Sequence, residues 1–229
     1  VSIKFNQNHS LALDAKGQVY SWGEDISGQL GRGETGRNDC SKTEDCRLDI
    51  GAIDGIDNAV MVAAGYKHNL VLTKDGSVWA FGANTQGQLG NATTINSSTP
   101  VKVDFSAAAD IGHIVQVVAS ANSSYALDDK GQVWGWGSDA YANLGRGQEC
   151  NKANNCINVN ATPIRINVIT ADANLVNSIA PTPQLASDPS IGLEKVTQLA
   201  TGRDHVLALT NKEAVYAWGL NASSQIGYN

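Results

Sequence analysis

One passage is written four times in this chain, and that repetition restricts the fold more than any other feature. In its clearest copy, His68-Asn69-Leu70-Val71-Leu72-Thr73 is followed by Lys74-Asp75-Gly76, then by Ser77-Val78-Trp79-Ala80-Phe81-Gly82, and then by Gly87-Gln88-Leu89-Gly90. Two short runs of aliphatic, β-branched and aromatic residues flank a Lys-Asp-Gly turn, which predicts a β-hairpin running into a glycine-bounded loop. The copies occupy 9–31, 68–90, 123–145 and 205–227. Within them the spacing is rigid: thirteen positions separate His9 from Trp22, His68 from Phe81, Ser123 from Trp136 and His205 from Trp218. Between copies the offsets are 59, 55 and 82 (68 − 9, 123 − 68, 205 − 123). A fixed hairpin on a long, variable period marks an array whose units bury their apolar faces only by stacking on neighbours.

A further strand is predicted on each side of the hairpin. Val1 to Phe5 alternate as a half-buried strand does, and Val60-Met61-Val62-Ala63-Ala64-Gly65, Val115-Gln116-Val117-Val118-Ala119-Ser120 and Val196-Thr197-Gln198-Leu199-Ala200-Thr201-Gly202 hold the same place before the later hairpins. Asn6 and Ser120 stand where the other two repeats have Gly65 and Gly202, so repeats one and three depart from that pattern. After the loop, Pro100-Val101-Lys102-Val103 and Pro163-Ile164-Arg165-Ile166 read as fourth strands, with Arg47-Leu48-Asp49-Ile50 a weaker equivalent; proline is tolerated at the start of an edge strand. Four strands per unit is the composition of a propeller blade.

The combination of His-x-Leu-Ala-Leu, Val-Tyr-x-Trp-Gly and Gly-Gln-Leu-Gly resembles the repeat of the regulator of chromosome condensation family, over nearly the whole chain. That resemblance implies an all-β fold, a β-propeller in which the strand before each hairpin lines a central channel. Residues 1–229 are then expected to form a single repeat array, interrupted by a long insertion at 167–194 with one short helix at 172–179. The family's propeller closes with about seven blades, and four are visible here, the last without its fourth strand. A partial propeller, two copies completing one ring, and a compact four-bladed form all fit. Exposed strand edges at the ends of an open array invite pairing with another chain.

Charge and cysteines narrow the function. A net charge of −6 without a run of Lys or Arg argues against nucleic-acid binding. No apolar run approaches the roughly 18 residues of a membrane-spanning helix. Val1 is not an initiator methionine and already stands in strand phase, so no signal peptide is read and the chain looks like a mature or excised piece of a longer one. Cys40 with Cys46 and Cys150 with Cys156 form two C-x5-C pairs, each after a Leu-Gly-Arg-Gly loop. Zinc favours tighter spacing and converging pairs, so two local disulfides are expected. They place the protein in an oxidising compartment: extracellular, periplasmic or at the cell surface.

Nothing in the sequence composes a catalytic, cofactor or metal site. His9, His68 and His205 share one repeat phase; a catalytic histidine is needed once, a structural one once per blade. Trp22, Phe81, Trp136 and Trp218 also share one phase, which favours packing between blades over a ligand platform. Gly28-Gln29-Leu30-Gly31-Arg32-Gly33 lacks the Gly-Lys-Ser/Thr ending of a phosphate loop and recurs, so it reads as a turn. Asp75, Asp128 and Asp129 lie at hairpin turns, where aspartate bonds the backbone. The sequence therefore reads as a non-enzymatic protein-binding or scaffolding module, with a protein partner and no cofactor. A homodimer or further blades would complete the propeller. A nucleotide-exchange regulator of a small GTPase, which the resemblance brings with it, and a carbohydrate-binding propeller are the alternatives.

Overall fold

In the computed structural model the described residues are 1–6, 8–33, 47–145, 159–166 and 195–226. They form strands and turns, with no helix among them. The first sheet contains β1 (Ser2–Asn6), β2 (His9–Leu13), β3 (Val19–Gly23) and β4 (Arg47–Ala52) in that order. The second contains β5 (Ala59–Ala64), β6 (His68–Thr73), β7 (Val78–Gly82) and β8 (Ser97–Lys102). The third contains β9 (Ile114–Ala119), β10 (Ser123–Asp128), β11 (Val133–Ser138) and β12 (Val159–Ile166), and the last contains β13 (Val196–Thr201), β14 (His205–Thr210) and β15 (Val215–Gly219). All pairings are antiparallel meanders, so each sheet is one propeller blade. The short helix expected at 172–179 and the whole insertion at 167–194 lie outside the described residues.

Every hairpin uses the same register: His9 opposes Gly23, His68 opposes Gly82, Ser123 opposes Gly137 and His205 opposes Gly219. Those glycines require positive φ, at 108°, 108°, 99° and 102°, and a Cβ on Gly82 would lie 2.3 Å from the Lys67 carbonyl oxygen. No side chain fits there, which is why glycine closes the second strand in every copy.

The core lies between blades. Leu11, Leu13, Val19 and Ile53 of the first pack against Val62, Val71 and Phe81 of the second. Leu70, Leu72 and Leu89 of the second meet Val117, Trp134 and Trp136 of the third, and Tyr125, Leu127 and Leu144 of the third meet Leu199, Val206 and Trp218 of the last. Phe105, from the connection between blades two and three, sits edge-on to Trp136 at 5.8 Å and 84°. Burying a side chain of this size contributes about 1.5–3 kcal/mol, and no blade can bury its own face alone. The inner strands β1, β5, β9 and β13 line an open cavity of about 760 Å³.

Candidate functional site

Two of the repeated histidines, His9 and His68, lie at the boundaries between described blades. His9 Nε2 is 2.9 Å from Asn69 Oδ1 of the next blade, and His68 Nε2 is 2.9 Å from Ser124 Oγ of the next. The surrounding bonds fix both tautomers. Asn69 donates through Nδ2 to the Gln29 carbonyl at 2.7 Å, so its Oδ1 accepts and His9 Nε2 carries the proton. Ser124 donates to the Gln88 carbonyl at 2.8 Å, so its oxygen accepts from His68 Nε2. The buried Nδ1 atoms of both rings have no partner among the described residues. Burial holds His9 below the usual imidazole range against the opposing effects of Asn69 and Glu24. Burial, reinforced by the neighbouring His9 charge, pushes His68 down to about 3. A base that weak accepts no proton near neutrality.

In repeats two and four the glycine three positions before the histidine makes room for its ring, whereas repeat one keeps His9 with Asn6 in that place. A Cβ on Gly65 would lie 2.2 Å from His68 Cε1, and one on Gly202 would lie 2.0 Å from His205 Cε1. In the third repeat both positions change together: Ser120 replaces the glycine and Ser123 the histidine, and Ser120 Oγ bonds the Ser123 carbonyl at 3.2 Å. With no ring reaching across, the next blade carries apolar Val206 where the others carry Asn69 and Ser124. Repeat three thus departs by exchanging a set of three residues. The residue after the histidine position, polar in repeats one to three and apolar in repeat four, is the sequence signal of this contact.

In the first three blades the second residue of the Gly-Gln-Leu-Gly loop, Gln29, Gln88 or Asn143, presents its carbonyl to the following blade. Gln88 O receives Ser124 Oγ and Trp136 Nε1, the latter at 3.0 Å. Asn143 O receives Trp218 Nε1 at 2.8 Å and Tyr125 OH at 2.8 Å. At the first boundary Phe81 has no donor to offer, and Asn69 Nδ2 supplies the bond to Gln29 O instead. The loop also closes on itself in every blade. Leu30, Leu89, Leu144 and Ile226 N–H donate to Asp25, Asn84, Asp139 and Asn221 side chains at 2.9, 2.8, 2.8 and 3.2 Å. Backbone donors used in this way are not available to cradle a phosphate.

The remaining candidates are likewise engaged. Trp134, Trp136 and Trp218 are buried, while Trp22 and Trp79 are half-buried. Asp128 accepts from Lys130 N, Gln132 N, Gly112 N and Trp134 Nε1. Asp129 accepts from His113 N at 3.0 Å. Bonds from Thr73 and Ser77 hold the Asp75 carboxyl down at about 2. Along the inner wall, the Gln116 amide bonds both Leu199 N and Leu199 O of the next blade at 2.8 Å. Among the described residues no group of three or more His, Cys, Asp or Glu is placed to hold a metal, and no helix is long and apolar enough to cross a membrane. The four cysteines lie outside the described residues.

Comparison with known proteins agrees with this architecture. The model of the regulator of chromosome condensation (RCC1) repeat matches residues 16–72, 75–127 and 130–209, and a second model of that repeat matches 1–29, 60–88, 114–142 and 196–225. Protein RCC2 of Homo sapiens is 30% identical over 227 residues, covering 96% of this chain and 39% of the relative. The ultraviolet-B receptor UVR8 of Arabidopsis thaliana is 29% identical over 229 residues, covering all of this chain and 43% of the relative. The chain therefore spans about two fifths of the length of these relatives. Prp20p from Saccharomyces cerevisiae, described with its binding to Gsp1p and histones, superposes with a TM-score of 0.70 at 20% identity, over 99% of this chain and 46% of that one. That likeness shows the fold.

These relatives overturn the expectation of an extracellular, periplasmic or surface protein, because RCC2 and the RCC1 proteins are intracellular. The expectation rested on the spacing of Cys40, Cys46, Cys150 and Cys156, and spacing does not set redox state: two thiols in one loop are equally compatible with a reducing compartment. The four-fold hairpin, the blade-by-blade meander and the matched repeat models establish that this chain belongs to the regulator of chromosome condensation (RCC1) repeat family.

Proposed function

We propose that this chain is a non-enzymatic, protein-binding propeller segment of the regulatory kind, with residues 1–229 forming one continuous array. The observation that carries this reading is the use of the repeated polar groups. His9, His68, Asp128 and the loop carboxylates Asp25 and Asp139 are buried and bonded within or between blades. They make the blades a rigid frame, and a rigid frame presents its loops with little ordering entropy left to lose on binding. Three of the five tryptophans are buried, which weighs against a sugar-stacking platform.

A second reading, nucleotide exchange on a small GTPase, is favoured by one observation: Prp20p is described as binding Gsp1p. The two are separated by incubating the chain with a Gsp1p-type GTPase loaded with fluorescent GDP, and with histones, while following association and nucleotide release. Association without faster release supports the binding module; accelerated release supports the exchange factor. Absence of association with either class of protein overturns both readings.

A further inference from the structure

We propose that Met61 is a site of reversible oxidation, at which a peroxide turns the thioether into a sulfoxide whose oxygen holds the third blade as a glutamine side chain holds the fourth. The methionine and that glutamine, Gln116, occupy one repeat position. Met61 pairs with Leu72, Gln116 with Leu127 and Gln198 with Leu209, each directly after the shift of register in its inner strand. A bulge of that kind re-aims the side chain beside it, and here Met61 and Gln116 are both aimed at the next blade.

Each of the two meets the same backbone donor. Gln116 Oε1 accepts from Leu199 N at 2.8 Å, and Gln116 Nε2 donates to Leu199 O at 2.8 Å. One blade earlier, Met61 Sδ accepts from Val117 N at 3.5 Å. Val117 pairs with Ala126 and Leu199 with Ala208, so these two also share a repeat position. Both are 2% exposed, and a buried N–H depends on the acceptor it is given. A thioether is a weak one. Val117 is therefore the poorly served member of the pair.

Oxidation supplies the missing acceptor. The sulfur lone pair attacks one oxygen of hydrogen peroxide, the O–O bond breaks and an S–O bond forms. The proton on the transferred oxygen passes to the departing hydroxide, which leaves as water; the thioether is oxidised by the two electrons that the peroxide gains. The product has the branching of a glutamine end, with an oxygen on the atom after Cγ and Cε where glutamine has Nε2. It carries an acceptor, though no donor, where Gln116 carries Oε1. Met61 is half-buried and lines the central cavity, which admits a small oxidant and leaves the sulfur room to draw back as the oxygen takes its place. Its unbranched, flexible side chain allows that adjustment. Met61 is the single methionine in the sequence, so this chemistry has one site. The contact lies between two described blades and does not depend on which protein the propeller binds.

The test treats the folded chain with hydrogen peroxide and then reverses thiol oxidation with dithiothreitol. The tryptic peptide containing Met61 is expected to gain one oxygen, about 16 Da, which methionine sulfoxide reductases remove. In the oxidised chain the Val117 amide is expected to exchange with deuterium about fivefold more slowly, and the thermal midpoint to rise by about 2–4 °C, as one better hydrogen bond predicts. Met61→Gln, which places the Gln116 side chain at this position, should show both changes without peroxide. Met61→Leu, with no acceptor, should exchange faster at Val117 and keep its midpoint under peroxide. A folded chain whose Met61 stays unmodified under peroxide that oxidises the urea-unfolded chain overturns the proposal. So does an oxidised chain in which Val117 exchanges no more slowly than before, or whose midpoint falls below that of the untreated chain.

Discussion

Acidification from about pH 7 to about pH 5 is expected to destabilise this protein through a histidine that never meets solvent. His68 is fully buried, and its pKa falls from 6.5 to about 3 in the fold. Above 6.5 neither the folded nor the unfolded chain protonates it, and its contribution is complete. Between 6.5 and about 3 the unfolded chain takes up a proton that the folded chain refuses, so stability drops by about 1.4 kcal/mol per pH unit. The loss reaches about 2 kcal/mol at pH 5 and, to order of magnitude, about 5 kcal/mol once the folded pKa is passed. His9, lowered in the same direction, adds to the slope. The carboxyls of Asp14, Asp75, Asp104 and Asp110 are all lowered from the ordinary 3.8 in the fold and contribute mainly at lower pH. Urea unfolding followed by tryptophan fluorescence, with Trp136 and Trp218 as buried reporters, reads the effect as a falling midpoint. The control comes from the chain's own third repeat. Gly65→Ser, His68→Ser and Ser124→Val together reproduce Ser120, Ser123 and Val206, and Gln88 O keeps Trp136 Nε1 as its donor. This triple variant should fold and lose the His68 part of the slope. A midpoint constant between pH 7 and 5, or an equal slope in the triple variant, refutes the reasoning.

Gly65→Ala alone should cost about 2–4 kcal/mol, as overpacking against the His68 ring and the Ser120 carbonyl demands; adding His68→Ser should recover much of that loss in the same urea titration. Asn69→Ala removes the partner of His9 and the sole side-chain bond found at Gln29 O among the described residues, for an expected loss of about 2–4 kcal/mol. Ser124→Ala should cost less, because Trp136 still satisfies Gln88 O, and equal losses for the two variants would contradict the assigned donors. Glu213 sits in the last hairpin turn at φ 63°, where the other copies place glycine; Glu213→Gly should raise the thermal midpoint, by roughly 1 kcal/mol of stability.

Much of the fold was legible because its information is local. The thirteen-residue spacing, the short polar hairpin turns and the loops of the Gly-Gln-Leu-Gly type each specify backbone conformation within a few residues, and all four hairpins take one register. Even the weak strand signal at Arg47-Leu48-Asp49-Ile50 is a strand, because β3 offers it an unpaired edge. The paired cysteines misled because residue spacing carries no information about the compartment that sets their oxidation state.

By itself the sequence determined four copies of a hairpin that cannot stand alone, and therefore a stacked all-β array. Tertiary structure decided what each irregular position is for. Asn69 answers the Gln29 carbonyl where Phe81 brings no donor, although the two blades are separated by tens of residues of chain. A hydrogen bond across a blade boundary depends on two sheets meeting in a particular register. No periodicity within either sheet encodes that meeting. Packing brings the carbonyl of one loop under the donor of the next blade, and only there does a missing indole N–H call for an asparagine.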